Sequence, residues 1–587
     1  MVRISACVSA AVLSLMVPQA SAQKAPTITD FRPVTEAILE NPDPGDWLMV
    51  NRTFDQQRFS ELKQISKDNV GQLRMAWSRG LGPGTQESTP IVYNGIMYIN
   101  APGALVQALD ATNGDLIWEY ARDYPKEIGP NQARSKSLGI YEDMIYFAAP
   151  DGFLVALDAK TGAKRWETKA SYGGLTAGGI LVADGKVLTN RTCEAGKREN
   201  CFIAAHDAKT GAEVWKFYTT AAPGEPGGDT WGDVPVAERA AGPWGLPGSY
   251  DPKRKVTYWG ISNPNPYTRL TRHNGNPERV PLHAPAELYS DSTVAIDIKT
   301  GKLVWYYQEL PGDDWDADHG HERILARVKL NPDPKHAKWI SPDVKPGEER
   351  DVVITVAEGG GMFVVDRDGK FVWARPFPYD VPDVNMNHID VKTGVTYLNR
   401  DKVFWKDGDK ILGCYHNTRG LWSIAYHPGK NSLYVPFQDQ CLTMTANMKS
   451  KVGWGPRNGI MRPGIDPNKY MNIGKIDIST GEMKVLYSQP QASAGSALVT
   501  AGDLIFWGDQ NRRFRAFDAE DGKVLWENIV PGGVVTSTIT YQAKGKQYVM
   551  IFTGEGQSVS AGPFLITKDS MPKPVRGHNS VVVFALP

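Results

Sequence analysis

One pattern governs this chain: an apolar strand, an aspartate, a turn with a glycine, then a tryptophan. It reads ALDATNGDLIW at Ala108–Trp118, ALDAKTGAKRW at Ala156–Trp166, AHDAKTGAEVW at Ala205–Trp215, AIDIKTGKLVW at Ala295–Trp305 and AFDAEDGKVLW at Ala516–Trp526. Two worn copies lie between them. VVDRDGKFVW at Val364–Trp373 is one residue short, and KIDISTGEMKV at Lys475–Val485 has Val485 at the tryptophan position. Each copy predicts a β-hairpin, because the aspartate caps the turn and the glycine takes positive φ between two alternating strands. The tryptophan is expected to bury its ring between neighbouring units. Seven copies, with Met75-Ala76-Trp77 as the remnant of another, predict eight four-stranded blades. Longer gaps between later copies require inserted loops. The final SVVVFALP, Ser580–Pro587, reads as a strand that closes the ring beside N-terminal strands. The expected fold is all-β, an eight-bladed β-propeller with tryptophan-docking repeats. A WD40 scaffold would carry Gly-His and Trp-Asp signatures at fixed places, and these units do not.

Met1–Ala22 is set apart from the fold. Arg3, an apolar run from Ile4 to Val17 and Ala20-Ser21-Ala22 form a signal peptide with its cleavage site, so residues 23–587 are expected as one exported propeller domain. No other apolar run is long enough to cross a bilayer. Sixty-five basic residues balance 65 acidic ones without a basic block, which argues against nucleic acid as a partner. Of five cysteines, Cys7 leaves with the signal, and the remaining four allow three disulfide pairings in an oxidising compartment. Cys193 with Cys201 and Cys414 with Cys441 is the most local of these. A zinc site has no C-x-x-C spacing to support it.

The chemistry concentrates in Leu310–Arg323, LPGDDWDADHGHER, which directly follows a strand-like run at Ala295–Leu310. Four aspartates (Asp313, Asp314, Asp316, Asp318) and two histidines (His319, His321) surround Trp315 in a loop at a strand end, where sites usually lie. In extended chain Asp316 and Asp318 would point the same way and share a hard cation, and one of them can accept a proton from a hydroxyl. A solvated acidic loop is the plain alternative.

The repeat, the opening DWLMVNRTFDQQRFSELKQISKDNVGQLRMAW and the WDAD loop together resemble the quinoprotein alcohol dehydrogenases, over about residues 46–587. With TCEAGKRENCF before the third full repeat, the cysteine spacing looks closer to the sorbose-dehydrogenase-like branch than to methanol dehydrogenases. The resemblance implies a periplasmic enzyme dependent on pyrroloquinoline quinone (PQQ), with a metal against the quinone. It implies Asp316 as catalytic base and metal ligand, Asn263 of YWGISNPNPY as a second ligand, and Glu194 as a third, with Glu199 as its fallback. Asp318, two residues beyond the catalytic aspartate, resembles the extra acid of lanthanide-using members. A trivalent ion gains more from a fourth ligand that is charged than Ca²⁺ does, and both metals stay open. Trp244 matches the tryptophan beneath the quinone ring, Thr176 and Glu87 match polar contacts, and Lys136 falls where the family places an arginine, with Arg134 as its alternative. For each of these an ordinary core or turn role is the competing reading.

Departures from the family pattern lie on one side of the expected pocket. No adjacent cysteines are present; the matching stretch is ARSKSLGIY. A family Lys or Arg falls at Glu358, a family Asn at Leu421 and an aromatic at Arg513, leaving Arg419, Arg512 or Arg513 to supply a cation. Gly359, Gly360 and Gly361 suggest room for an alcohol larger than methanol. The mechanism implied by the resemblance has Asp316 take the hydroxyl proton, with His319 or His321 assisting or hydrogen bonding nearby, while the carbinol hydrogen leaves as hydride. No C-x-x-C-H haem motif is present, so the expected electron acceptor is a separate protein such as cytochrome c. The rival readings are a non-enzymatic propeller platform in the cell envelope and a glycoside hydrolase, for which no separate carboxylate pair is visible.

Overall fold

The computed structural model describes residues 27–129, 134–171, 178–244, 246–418, 422–554, 566–567, 569–570 and 578–587. The expected signal segment, Thr176, Arg419 and Leu421 lie outside these residues. Strands dominate, and among the described residues eight sheets of four or five strands follow one another along the chain. Four consecutive antiparallel strands build each of the first four, over residues 91–121, 138–169, 181–218 and 249–308. The fifth sheet spans 324–376, the sixth 425–489 and the seventh 498–529 with Phe59–Ser60 added in parallel. In the eighth, Val534–Ala543, Lys546–Thr553 and Ser580–Ala585 are joined by Arg74–Gly80, which runs antiparallel to Ser580–Ala585. The expected pairing of the last strand with an N-terminal one is therefore present.

The repeat explains how sheets follow one another. In the second, the Asp158 carboxylate accepts from the backbone N–H groups of Lys160 and Thr161 and from the Thr161 hydroxyl, and Gly162 closes the turn at φ +72°. A Cβ at Gly162 would lie 2.5 Å from the ring of Trp118, the tryptophan of the preceding copy. The same relation links Trp77 to Gly114, Trp166 to Gly211, Trp215 to Gly301 and Trp305 to Gly369. Several of these indoles also donate to a backbone carbonyl of the next unit, Trp118 to Ala159 at 3.0 Å and Trp215 to Ile298 at 2.9 Å. Trp526 donates to the Leu73 carbonyl beside the N-terminal strand. The worn copy at Lys475–Val485 behaves differently. Val485 is 41 % exposed, and the space over Gly522 is taken by Leu486.

Two additional small sheets occupy the segment before and within the sixth sheet. Met386–Ile389 pairs with Thr396–Leu398, and Lys410–Gly413, Gln440–Ala446 and Trp454–Met461 form three strands. The two disulfides are Cys193–Cys201 and Cys414–Cys441, the most local pairing, and the second ties the three-stranded sheet together.

Candidate active site

The loop after Leu303–Gln308 is held by its own acids. Asp313 accepts the backbone N–H groups of Trp315 and, at 2.6 Å, Ala317, while Asp314 accepts those of Arg269 at 2.5 Å and Phe404 at 3.1 Å. Both carboxyls are buried, and burial pushes Asp313 up to about 8 and Asp314 to about 6 despite these donors. Wound around Asp313, the chain passes through Asp316 at φ +62°, so the extended geometry expected of Asp316 and Asp318 is not what forms.

Asp316 instead projects to an opening. Its Oδ2 lies 2.7 Å from Nη1 of Arg457, with the two side chains 24 % and 20 % exposed. Its backbone carbonyl meets Nε2 of His416 at 2.7 Å, and Nδ1 of His416 lies 3.1 Å from Oε2 of Glu358. Tyr415 donates its hydroxyl to the Trp315 carbonyl at 2.8 Å. The phenol of Tyr267 stands in this field, stacked on Trp454 with ring centroids 4.5 Å apart. Asp316 is the largest influence raising its pKa, followed by burial and Asp318; Arg457 opposes them and Glu194 adds to them. Asp316, Asp318 and Glu194 thus act on one phenol, four residues beyond Asn263.

Among the described residues no group of three His, Cys, Asp or Glu side chains is already gathered as a metal cluster. Glu194 is half exposed and pairs with Lys197 at 2.9 Å. Asn263 is buried and donates its Nδ2 to the Pro264 carbonyl at 3.1 Å, so a cation would take its Oδ1.

On the other flank, three residues expected around the cofactor come together. Lys136 and Arg134 both turn onto Oε2 of Glu87, at 2.7 and 3.0 Å, and all three are buried. The Lys136 ammonium sits 4.1 Å from the centre of the Trp244 ring. Burial pulls this lysine down to about 8, while Glu87 and Asp318 hold it up. Buried cations beside a flat indole suit a planar polycarboxylate.

Several sequence expectations are corrected. His319 is fully buried in the core, its ring N atoms have no hydrogen-bond partner among the described residues, and burial holds it neutral. Gly359 and Gly361 do not mark open space: a Cβ would lie 2.5 Å from the His319 ring and 2.5 Å from the Phe363 ring. Arg512 and Arg513 donate to the carbonyls of Val530 and Asn511. Arg323, at the end of the same loop, donates to Thr293 and to the His319 and His321 carbonyls and lies 3.5 Å from Glu309. The cation on Asp316 is Arg457, which lies 141 residues away in sequence and outside any repeat. Tyr267 had one signal, its place on the same YWGISNPNPY stretch as Asn263.

The family model for the β-propeller domain of PQQ glucose/ethanol/alcohol dehydrogenases matches residues 47–374 and 471–549. The chain belongs to the PQQ-dependent alcohol dehydrogenase family. It is 30 % identical to the quinohemoprotein alcohol dehydrogenase ADH-IIG of Pseudomonas putida, over 89 % of this chain and 74 % of that protein. It is 29 % identical to the 1-butanol dehydrogenase (cytochrome c) of Thauera butanivorans, over 87 % and 75 %. Among solved structures, a europium-containing methanol dehydrogenase superposes with a TM-score of 0.78 at 25 % identity, covering 94 % of this chain and 100 % of that one. As a member of this family the dehydrogenase is an oxidoreductase acting on alcohols, built on a β-propeller. Among its described residues no helix is long and apolar enough to cross a membrane.

Proposed function

We propose that this dehydrogenase is an exported, periplasmic enzyme that oxidises a primary or secondary alcohol larger than methanol and passes the electrons to a separate protein such as cytochrome c. The eight sheets are read as the blades of one ring, docked through tryptophan and glycine. The ladder from Trp77 to Gly369 and the pairing of Arg74–Gly80 with Ser580–Ala585 support this reading. The observation that carries the function is the convergence of Glu87, Lys136 and Trp244 on one side and the loop bearing Asp316 and Asp318 on the other, since a Cβ at Gly320 of that loop would lie 3.4 Å from Cβ of Trp244.

These residues fit the family cofactors. Lys136 and Arg134 would hold PQQ carboxylates, Trp244 would lie against its plane, and Glu87 would hold the lysine in place, with Thr176 as a further polar contact. Glu194, Asn263, Asp316 and Asp318 would hold one metal ion, Ca²⁺ or a lanthanide; the third charged donor, Asp318, favours the higher charge. When bound, these groups supply a two-electron acceptor for the carbinol hydrogen and a Lewis acid beside it. The protein's own work is to receive the hydroxyl proton on the Asp316 carboxylate, which the buried loop aims into the opening and Arg457 faces from the other side. His416, braced by Glu358, fixes the Asp316 backbone through its carbonyl, so the carboxylate is positioned before the alcohol arrives. The name of the Thauera relative supports both a larger alcohol and a cytochrome acceptor.

The test is reconstitution with PQQ, using Ca²⁺ and a light lanthanide separately, and alcohol-dependent dye reduction as the readout. Asp316→Asn should lower kcat at least about 100-fold with either metal, as expected for loss of a general base. Large secondary alcohols should exceed methanol in kcat/KM. Activity unchanged in Asp316→Asn, or methanol as the best substrate, would remove the corresponding part of this reading.

A further inference from the structure

Residues 375–470 lie between the two stretches that the family model matches, yet they supply much of the surface around Asp316. The strand Trp454–Met461 brings Arg457 to the Asp316 carboxylate, and Trp454 carries the guanidinium 5.1 Å from its ring centre. Trp454 is stacked on Tyr267 in turn. The strand Lys410–Gly413 leads into Cys414, Tyr415 and His416, and the disulfide to Cys441 ties this approach to the middle strand of the same small sheet. His416 stands at φ +60° between the Asp316 carbonyl and Glu358. Arg457 is thus held from several directions.

We infer that Arg457 is a substrate-positioning residue that selects an alcohol bearing a second oxygen on the carbon next to the carbinol, a vicinal diol or a hydroxy ketone. This rests on Asp316 being the base that receives the carbinol proton. A guanidinium has five N–H donors in one plane. The described contacts of Arg457 use Nη1, on Asp316 Oδ2 and the Trp315 carbonyl, and one side of Nη2, 3.5 Å from His416 Nε2. Both Arg457 and Asp316 remain partly open to solvent, so an alcohol can reach them together. The two oxygens of a gauche vicinal diol lie about 2.8 Å apart, the same span as a hydrogen-bonded pair. One hydroxyl on the Asp316 carboxylate therefore brings the adjacent oxygen against the arginine 2.7 Å away. A plain alkanol would set an apolar carbon there and strip water from a cation with no acceptor in return. Planar, fixed donors suit this recognition better than a flexible lysine does.

The experiment uses the full chain reconstituted with PQQ and metal, and compares a vicinal butanediol with the butanol of the same carbon skeleton. Wild type should prefer the diol by about 30-fold or more in kcat/KM, a ratio expected for a site that hydrogen-bonds a substrate oxygen. Arg457→Met should bring that ratio close to one, mainly by raising KM for the diol, and Arg457→Lys should restore part of it. A structural role alone would depress both alcohols alike. No diol preference in wild type, or a preference kept in Arg457→Met, overturns the inference while butanol oxidation leaves the dehydrogenase reading standing. If neither alcohol is oxidised with any metal, both fall. Because wild type alone can refute it, a variant that fails to fold does not shelter the proposal.

Discussion

At the scale of single residues, burial sets the electrostatics of this protein. Asp46, far from the site, is 9 % exposed, and burial pushes its carboxyl up to about 6, with the Asn94 N–H pulling it down and Asp43 pushing it further up. Between about pH 4 and 6 the folded chain therefore holds a proton that the unfolded chain releases, so the stability from this group falls as pH rises through 6. Asp46→Asn keeps an acceptor for Asn94 and removes that loss. It should match wild type below pH 4 and exceed it at pH 7 by on the order of 2 kcal/mol in denaturant melts followed across pH. An equal difference at both pH values would show that the charge is not the cause. The same burial explains which site residues could be foreseen. Asp316 and Asp318 are singled out by the make-up of their own loop, whereas Lys136 and Trp244 are singled out only by resemblance to the family. Arg457 and His416 act on Asp316 from a segment with no repeat and no motif, where nothing in the residue order announces the contact. The glycines at 359 and 361 misled because sequence shows small size but not the ring pressed against it.

At the scale of elements, the hairpin with its tryptophan is the unit of stability. In αL conformation a Cβ at position 162 costs backbone strain and also strikes the Trp118 ring. Gly162→Ala should destabilise by about 2–4 kcal/mol, and Trp118→Ala by about 3–5 kcal/mol. In the Trp118→Ala background Gly162→Ala should cost only its backbone strain, about 1–2 kcal/mol. A double-mutant cycle in chemical denaturation measures that coupling, and strict additivity would mean the two residues do not share one contact. This unit was legible because its aspartate, glycine and tryptophan each answer to a separate local rule and all agree. The three strands carrying Arg457 were not. Trp454–Met461 alternates half-buried and exposed positions, Gln440–Ala446 has no exposed position and Lys410–Gly413 is only four residues long, so the three share no pattern and their partners are set by tertiary contacts.

At the scale of the whole molecule, the eighth sheet joins strands from both ends of the described chain. Asn579 donates to the carbonyls of Gly82 and Gly84, across 497 and 495 residues, beside the pairing of Arg74–Gly80 with Ser580–Ala585. Removing residues 578–587 would strip Arg74–Gly80 of its partner and Lys546–Thr553 of one of its two, and would take the buried Val581, Val582, Val583 and Phe584 out of that sheet's core. The shortened chain should lose the single cooperative transition of the full protein in calorimetry and aggregate. A transition with unchanged midpoint would show that the pairing adds little. The ordering of the pairing also has a temporal side. While a ribosome is still producing the chain, Arg74–Gly80 has no partner strand to bind, however long ago it emerged. The early sheets have all their strands at hand as they appear, but the eighth waits for Ser580–Ala585, so its completion is expected to be a long-range search made late rather than early.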